Sequence, residues 1–133
     1  MIFGGSYANS ELRTDTPSLN AESGDPLPGA PDYNISLGLQ YDQQLMQYPA
    51  FIRADYTYVG GFYNNLQETG AEAGRYGQAN IRAGIEIEKF TIDLFVNNLS
   101  NEDAITWVGA DSPDKRAFRL RPRTLGMSLA YHF

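Results

Sequence analysis

Apolar and polar residues alternate with a period of two along most of the chain, the pattern of strands that have one greasy and one wet face. From Tyr33 the odd positions read Tyr33, Ile35, Leu37, Leu39 and Tyr41, against Asn34, Ser36, Gly38 and Gln40. From Ala50 the apolar set is Ala50, Ile52, Ala54, Tyr56 and Tyr58, opposed by Arg53, Asp55 and Thr57, with Phe51 and Val59 out of phase. A third run sets Ala79, Ile81, Ala83, Ile85 and Ile87 against Gln78, Asn80, Arg82, Gly84, Glu86 and Glu88. A fourth sets Phe90, Ile92, Leu94 and Val96 against Thr91, Asp93, Phe95 and Asn97. The last sets Leu125, Met127, Leu129, Tyr131 and Phe133 against Thr124, Gly126, Ser128, Ala130 and His132. Ile2 to Leu12 is a weaker strand in which Gly4-Gly5 suggests a bend.

The third and fourth runs define a hairpin with Glu88 and Lys89 at its tip. Pairing Ile87 with Phe90 sets Ile85 opposite Ile92, Ala83 opposite Leu94 and Ile81 opposite Val96, while Glu86 meets Thr91 and Gly84 meets Asp93. Arg82 then lies diagonal to Asp93, within reach of a charge pair. The tip lacks the Gly or Asn that favours a two-residue turn, so the register is defined and the turn type is open.

Six strands follow, over 2–12, 33–44, 50–63, 76–88, 90–108 and 118–133. The fold class is all-β, an antiparallel meander of about six long strands. The short connections 44–49 and 88–89 fall on the side of Phe133, and the long ones 13–32, 64–75 and 109–117 on the other. Outer-membrane barrels sort short turns from long loops in this way, and their tilted strands are longer than those of most soluble sheets. Six strands also leave two open edges, and unpaired backbone groups are costly in lipid, so the segment is not expected to insert stably by itself.

Composition narrows the chemistry. The chain has 133 residues, no Cys, one His and a net charge of −6. The acidic balance argues against nucleic acid, and the missing Cys and single His132 leave no thiolate site, His-rich metal site or credible triad. No cofactor or metal is expected, nor an enzyme; a lipase-like activity fails for want of a Ser, His and Asp set on one strand face. No run of apolar residues exceeds three, so neither a transmembrane helix nor a signal-peptide core follows Met1.

The wet face carries Arg53, Asp55, Arg82, Glu86, Glu88 and Asp93. They read either as charges lining a lumen that guides a polar ligand or as ordinary cross-strand pairs on a solvated face. The aromatic set includes Tyr33, Tyr41, Tyr48, Tyr56, Tyr58, Phe62, Tyr76, Phe90, Tyr131 and Phe133, mostly near strand ends. Interfacial girdles place amphipathic rings there, and strand propensity with core packing is the plainer explanation. The turn formers from Asn97 to Asp103 interrupt a strand and suggest a bulge.

The run Phe90-Thr-Ile-Asp-Leu-Phe-Val-Asn-Asn-Leu-Ser-Asn-Glu-Asp103, then Pro122-Arg-Thr-Leu-Gly-Met-Ser-Leu-Ala-Tyr-His-Phe133, resembles the carboxyl-terminal end of TonB-dependent receptors. Gly24 to Pro31 and Tyr56 to Gly60 are similar to the hairpins that precede it. The resemblance implies residence in the Gram-negative outer membrane and import of an iron chelate, cobalamin or an oligosaccharide. The barrel would have about 22 strands around a plug, with residues 1–133 forming its carboxyl-terminal portion and the plug and earlier strands absent from the chain. Its partners would be outer-membrane lipid, the remaining strands and plug, TonB acting through that plug, and the barrel assembly machinery. The last would read Met127, Leu129, Tyr131 and Phe133. A soluble or surface β-sheet binding module, with the apolar face packed into a core, is the alternative.

Overall fold

The computed structural model describes residues 1–65, 68, 71–109 and 116–133. Residues 66, 67, 69 and 70 of the expected loop 64–75, and 110–115 of the expected loop 109–117, lie outside the described residues. Among the described residues the strands are β1 (Ile2–Asn9), β2 (Tyr33–Leu45), β3 (Tyr48–Val59), β4 (Tyr76–Ile87), β5 (Phe90–Asn97), β6 (Ile105–Val108), β7 (Ala117–Arg119) and β8 (Thr124–Tyr131). Six of them form one antiparallel sheet in the order β1-β2-β3-β4-β5-β8, and β6 and β7 pair separately. Among the described residues no helix is long and apolar enough to cross a membrane, which says nothing of crossing by strands.

The β4–β5 register matches the sequence reading rung for rung, from Ile87 opposite Phe90 to Ile81 opposite Val96. Glu88 takes a positive φ of 54° at the tip, and Met46 takes 61° in the equivalent Met46-Gln47 turn between β2 and β3. Positive φ at the first turn position suits the twist of the flanking strands, and here non-glycine residues adopt it. The β2–β3 connection is thus two residues rather than the expected 44–49, because the ladder runs to Leu45 opposite Tyr48. The short turns lie at one end of the sheet and the long connections at the other, as the sequence predicts.

The sheet strands run 8 to 13 residues, shorter at the extremes than expected from sequence. Gly4-Gly5 makes no break in β1, which stays in ladder register with β2 from Ile2 to Asn9. At the end of β3 the chain leaves the ladder where Gly60 donates its N–H to the Tyr33 carbonyl at 2.9 Å. Gly74, with φ of +85°, lies so close to the Gly60 carbonyl that any Cβ there would collide. The proline-rich segment after β1 holds a short 3-10 turn at Pro17–Leu19, where no helical element is expected.

The larger correction concerns the expected strands 90–108 and 118–133. Asn98 and Asn101 adopt left-handed φ values of 52° and 55°, which end β5 at Asn97. The chain then rises into the β6–β7 hairpin and returns to the sheet only at Thr124. The expected bulge at 97–103 is therefore a tight turn between two sheets.

Burial is inverted relative to a soluble domain. Among the described residues the buried apolar side chains are Ala21, Phe62, Ala73, Ala104 and Val108, none in the six-stranded sheet. On its apolar face Leu125 is 74 % exposed, Met127 67 %, Leu129 62 % and Leu94 56 %. A soluble module needs that face covered, and no layer covers it among the described residues.

Candidate functional site

The polar face is built by alternation. Row by row across the sheet, Gly38 is followed by Asp55 and Asn80, Gln40 by Arg53, Arg82, Phe95 and Gly126, and Asp42 by Phe51, Gly84, Asp93 and Ser128. Arg53 and Arg82 stand directly opposite each other, a like-charge pairing that would be destabilising unless each had an acid of its own. Each has one. Arg53 donates from Nε and Nη2 to the two Asp55 oxygens at 2.8 and 2.7 Å, along its own strand. Arg82 donates from Nη2 to Asp93 Oδ2 at 2.7 Å across to β5.

The second pair is the more enclosed. Asp93 is 8 % exposed, and its Oδ2 also accepts from the Ser128 hydroxyl at 3.1 Å, so β4, β5 and β8 meet on one carboxylate. Its Oδ1 is buried without a hydrogen-bond partner. The rings of Phe51 and Phe95 lie over Gly84 and Gly126, filling space that a Cβ would take. That accounts for Phe51 in a polar phase of the sequence: an aromatic ring covers the bare backbone of a facing glycine. A shallow hollow results, bordered by Gln40, Arg53, Arg82, Asn80, Phe95 and Ser128. Glu86 shares the face but stands apart, beside Asp42, Gln44 and Phe51 toward the short-turn end.

The expected aromatic residues divide between two ends of the apolar face. Tyr33 stacks between Tyr7 and Tyr58, with centroids 6.5 and 5.6 Å away, at the long-loop end. Phe90, Tyr131 and Phe133 form a chain of contacts at 5.1 and 5.3 Å at the short-turn end, with the Lys89 ammonium 5.8 Å over the Tyr131 ring. Tyr41 lies in that same half, opposite Ile52. Tyr56 sits one same-face step inside Tyr58, its ring over Gly77. Met127, Leu129 and Tyr131 follow one another along the apolar side of β8, whose outer edge has no neighbour among the described residues.

The sequence reading missed Asn98. Its side chain is 1 % exposed, donates to the Glu102 and Arg121 carbonyls at 2.9 Å each, and accepts from the Glu102 N–H at 2.8 Å. Its own N–H donates to Asn80 Oδ1 at 2.9 Å. This clamp holds the base of the β6–β7 hairpin against the end of β4. Beside it Arg119 grips Asp103 through two 2.8 Å bonds, which hold the Asp103 carboxyl below its usual range. A small cavity of about 120 Å³ opens at the same end, lined by Pro26, Leu27, Asp32, Phe62, Glu72 and Arg75. The hydrogen bond from Arg75 to Glu72 pushes the guanidinium pKa up. Among the described residues no group of His, Cys, Asp and Glu is placed to hold a metal.

A two-faced meander with an exposed apolar side, a charged opposite side and connections sorted by length has the architecture of a β-barrel wall. A family model described as TonB dependent receptor-like, beta-barrel matches residues 1–99, from β1 through β5, and the chain belongs to that family. The family consists of transporters of the Gram-negative outer membrane, whose barrels enclose a plug and work with TonB. No curated protein and no solved structure matches the chain significantly.

Proposed function

We propose that residues 1–133 form the carboxyl-terminal wall of a TonB-dependent receptor of about 22 strands, which imports an iron chelate or a similar nutrient. Arg53, Asp55, Arg82, Glu86 and Asp93 face the lumen, where polar residues are solvated by the channel and meet the plug. The apolar face, bordered by Tyr33 and Tyr58 at one end and by Tyr41, Phe90 and Tyr131 at the other, faces outer-membrane lipid, with Tyr56 inside the band. The long connections face outward and the short turns face the periplasm. TonB acts through the plug, and the barrel assembly machinery recognises Met127, Leu129, Tyr131 and Phe133.

The single observation that carries this reading is the apolar face itself: a sheet of six strands with no buried hydrophobic side chain among its described residues, in a family of membrane barrels. Water would not tolerate so large a contiguous apolar surface, since patches on soluble monomers rarely exceed a few hundred Å². The test is membrane fractionation of a Gram-negative cell making the chain together with the rest of its barrel. Recovery in the outer-membrane fraction that resists urea extraction is expected. A urea-soluble chain in the periplasm with a cooperative unfolding transition would contradict the reading and favour a soluble module.

A further inference from the structure

The chain's charge is unevenly placed. All 16 acidic residues precede Arg116, and the last 18 residues hold Arg116, Arg119, Arg121 and Arg123 with no Asp or Glu. Arg119 is occupied by Asp103. Arg121 and Arg123 are exposed, and their guanidiniums have no ion-pair or hydrogen-bond partner among the described residues. Their backbones are nevertheless fixed: the Arg121 carbonyl accepts from Asn98, and the Arg123 N–H donates to Asn101 Oδ1 at 2.9 Å.

Their position gives this cationic pair a meaning. Arg123 precedes Leu125 by two residues, which in the alternation leading into β8 is the apolar phase. Throughout the six sheet strands that phase holds no charged residue, from Phe3 and Tyr7 to Met127 and Tyr131. Charge therefore appears on the outward side only beyond the ends of the apolar band, as Arg123 at the long-loop end and as Lys89 over the Tyr131 ring at the other. An extended chain rises about 3.3 Å per residue, so Arg123 and Arg121 cover roughly the 5–8 Å of headgroup zone outside the hydrocarbon. Guanidinium is the side chain best suited to phosphate, because its forked donors match two oxygens at once.

We propose that Arg121 and Arg123 form a docking site for the phosphate of an anionic lipid headgroup in the outer leaflet, held in place by the Asn98 clamp. This rests on the barrel reading above, which sets the lipid side and the outward end of the sheet. The site gives the last strand an electrostatic anchor at the membrane surface, where each nearby cation strengthens attraction to anionic lipid roughly fivefold.

The test uses the chain assembled with the rest of its barrel and purified in dodecyl maltoside micelles, with retained lipid counted by native mass spectrometry after adding phosphatidic acid or phosphatidylcholine. Preferential retention of phosphatidic acid is expected, reduced roughly twenty-five-fold by Arg121→Gln/Arg123→Gln and only partly kept by Arg121→Lys/Arg123→Lys, whose ammonium keeps the charge without the fork. Inorganic phosphate at matched concentration should leave the lipid in place. Equal retention of the two lipids, an unaffected Gln variant, or displacement by inorganic phosphate would each overturn the proposal, the last assigning the site to a soluble phosphate. Circular dichroism checks that each variant keeps its strands. A wild-type chain that stays out of the micelle-bound barrel when the remaining strands are present would instead strike at the barrel reading.

Discussion

Two arginines directly opposite each other on a sheet differ in consequence because of what surrounds their partners. Asp55 shares its strand with Arg53 and lies in water, so the pair is worth little. Asp93 is enclosed by β4, β5 and β8, so removing Arg82 leaves a shielded carboxylate with only Ser128 as a hydrogen-bond donor. Arg82→Gln is expected to lower the stability of the folded barrel by about 1–3 kcal/mol, whereas Arg53→Gln leaves the urea midpoint of unfolding from micelles unmoved. Equal effects would contradict the assignment. The Asp103–Arg119 pair sets a pH dependence. A carboxyl held below its usual range contributes stability that is complete above its unfolded-state pKa and is lost as pH falls through the folded value. Trp107, the chain's one tryptophan, packs on Phe118 at 5.6 Å in the same hairpin and reports on it. Its emission should stay constant from about pH 5 upward and change only in acid, below the ordinary carboxylate pKa of about 3.9. Arg119→Gln should move that midpoint upward.

At the scale of elements, the hairpin of β4 and β5 was legible because both of its faces impose the same register: four apolar rungs and two on the polar face agree only when Ile87 meets Phe90. The break after Asn97 was not legible as a change of sheet. Turn formers from Asn97 to Asp103 announce a disturbance, but the direction the chain takes depends on Asn98 reaching partners at Glu102 and Arg121, contacts that local pattern cannot supply. Asn98→Ala removes three hydrogen bonds at a buried site and should cost about 2–4 kcal/mol, with limited proteolysis cutting the hairpin between Ile105 and Arg119 first. Uniform cutting across the chain would show that the clamp does not hold that element. Phe95 over Gly126 is a second device of this scale, joining β5 to β8. Gly126→Ala forces the ring aside and should destabilise by about 1–3 kcal/mol, with Phe95→Leu restoring part of the loss. No restoration would mean that the glycine serves some other contact.

At the scale of the whole molecule, period-two alternation conveyed the class of fold, an all-β antiparallel meander with one apolar and one polar face. The charges of the polar face were legible as a set because they share a phase. Their division into an exposed pair and an enclosed one depends on β8 arriving beside β5, across an intervening hairpin in the chain. β1 and β8 are the edges of the sheet, and a closed wall requires each to pair with further strands. Removal of Phe133 is expected to abolish assembly into the outer membrane while leaving synthesis unchanged, and normal assembly would refute its role as a signal. The central claim, that one face meets lipid and the other water, is open to a direct measurement because the chain has no cysteine of its own. Single spin labels at Leu39→Cys and Leu94→Cys on one face, and at Gln40→Cys and Asn80→Cys on the other, would be compared in outer membranes containing the assembled protein. Oxygen should relax the first two labels more strongly and a water-soluble nickel chelate the second two, in strict alternation between positions 39 and 40. Equal exposure of all four labels to the nickel chelate would contradict the account.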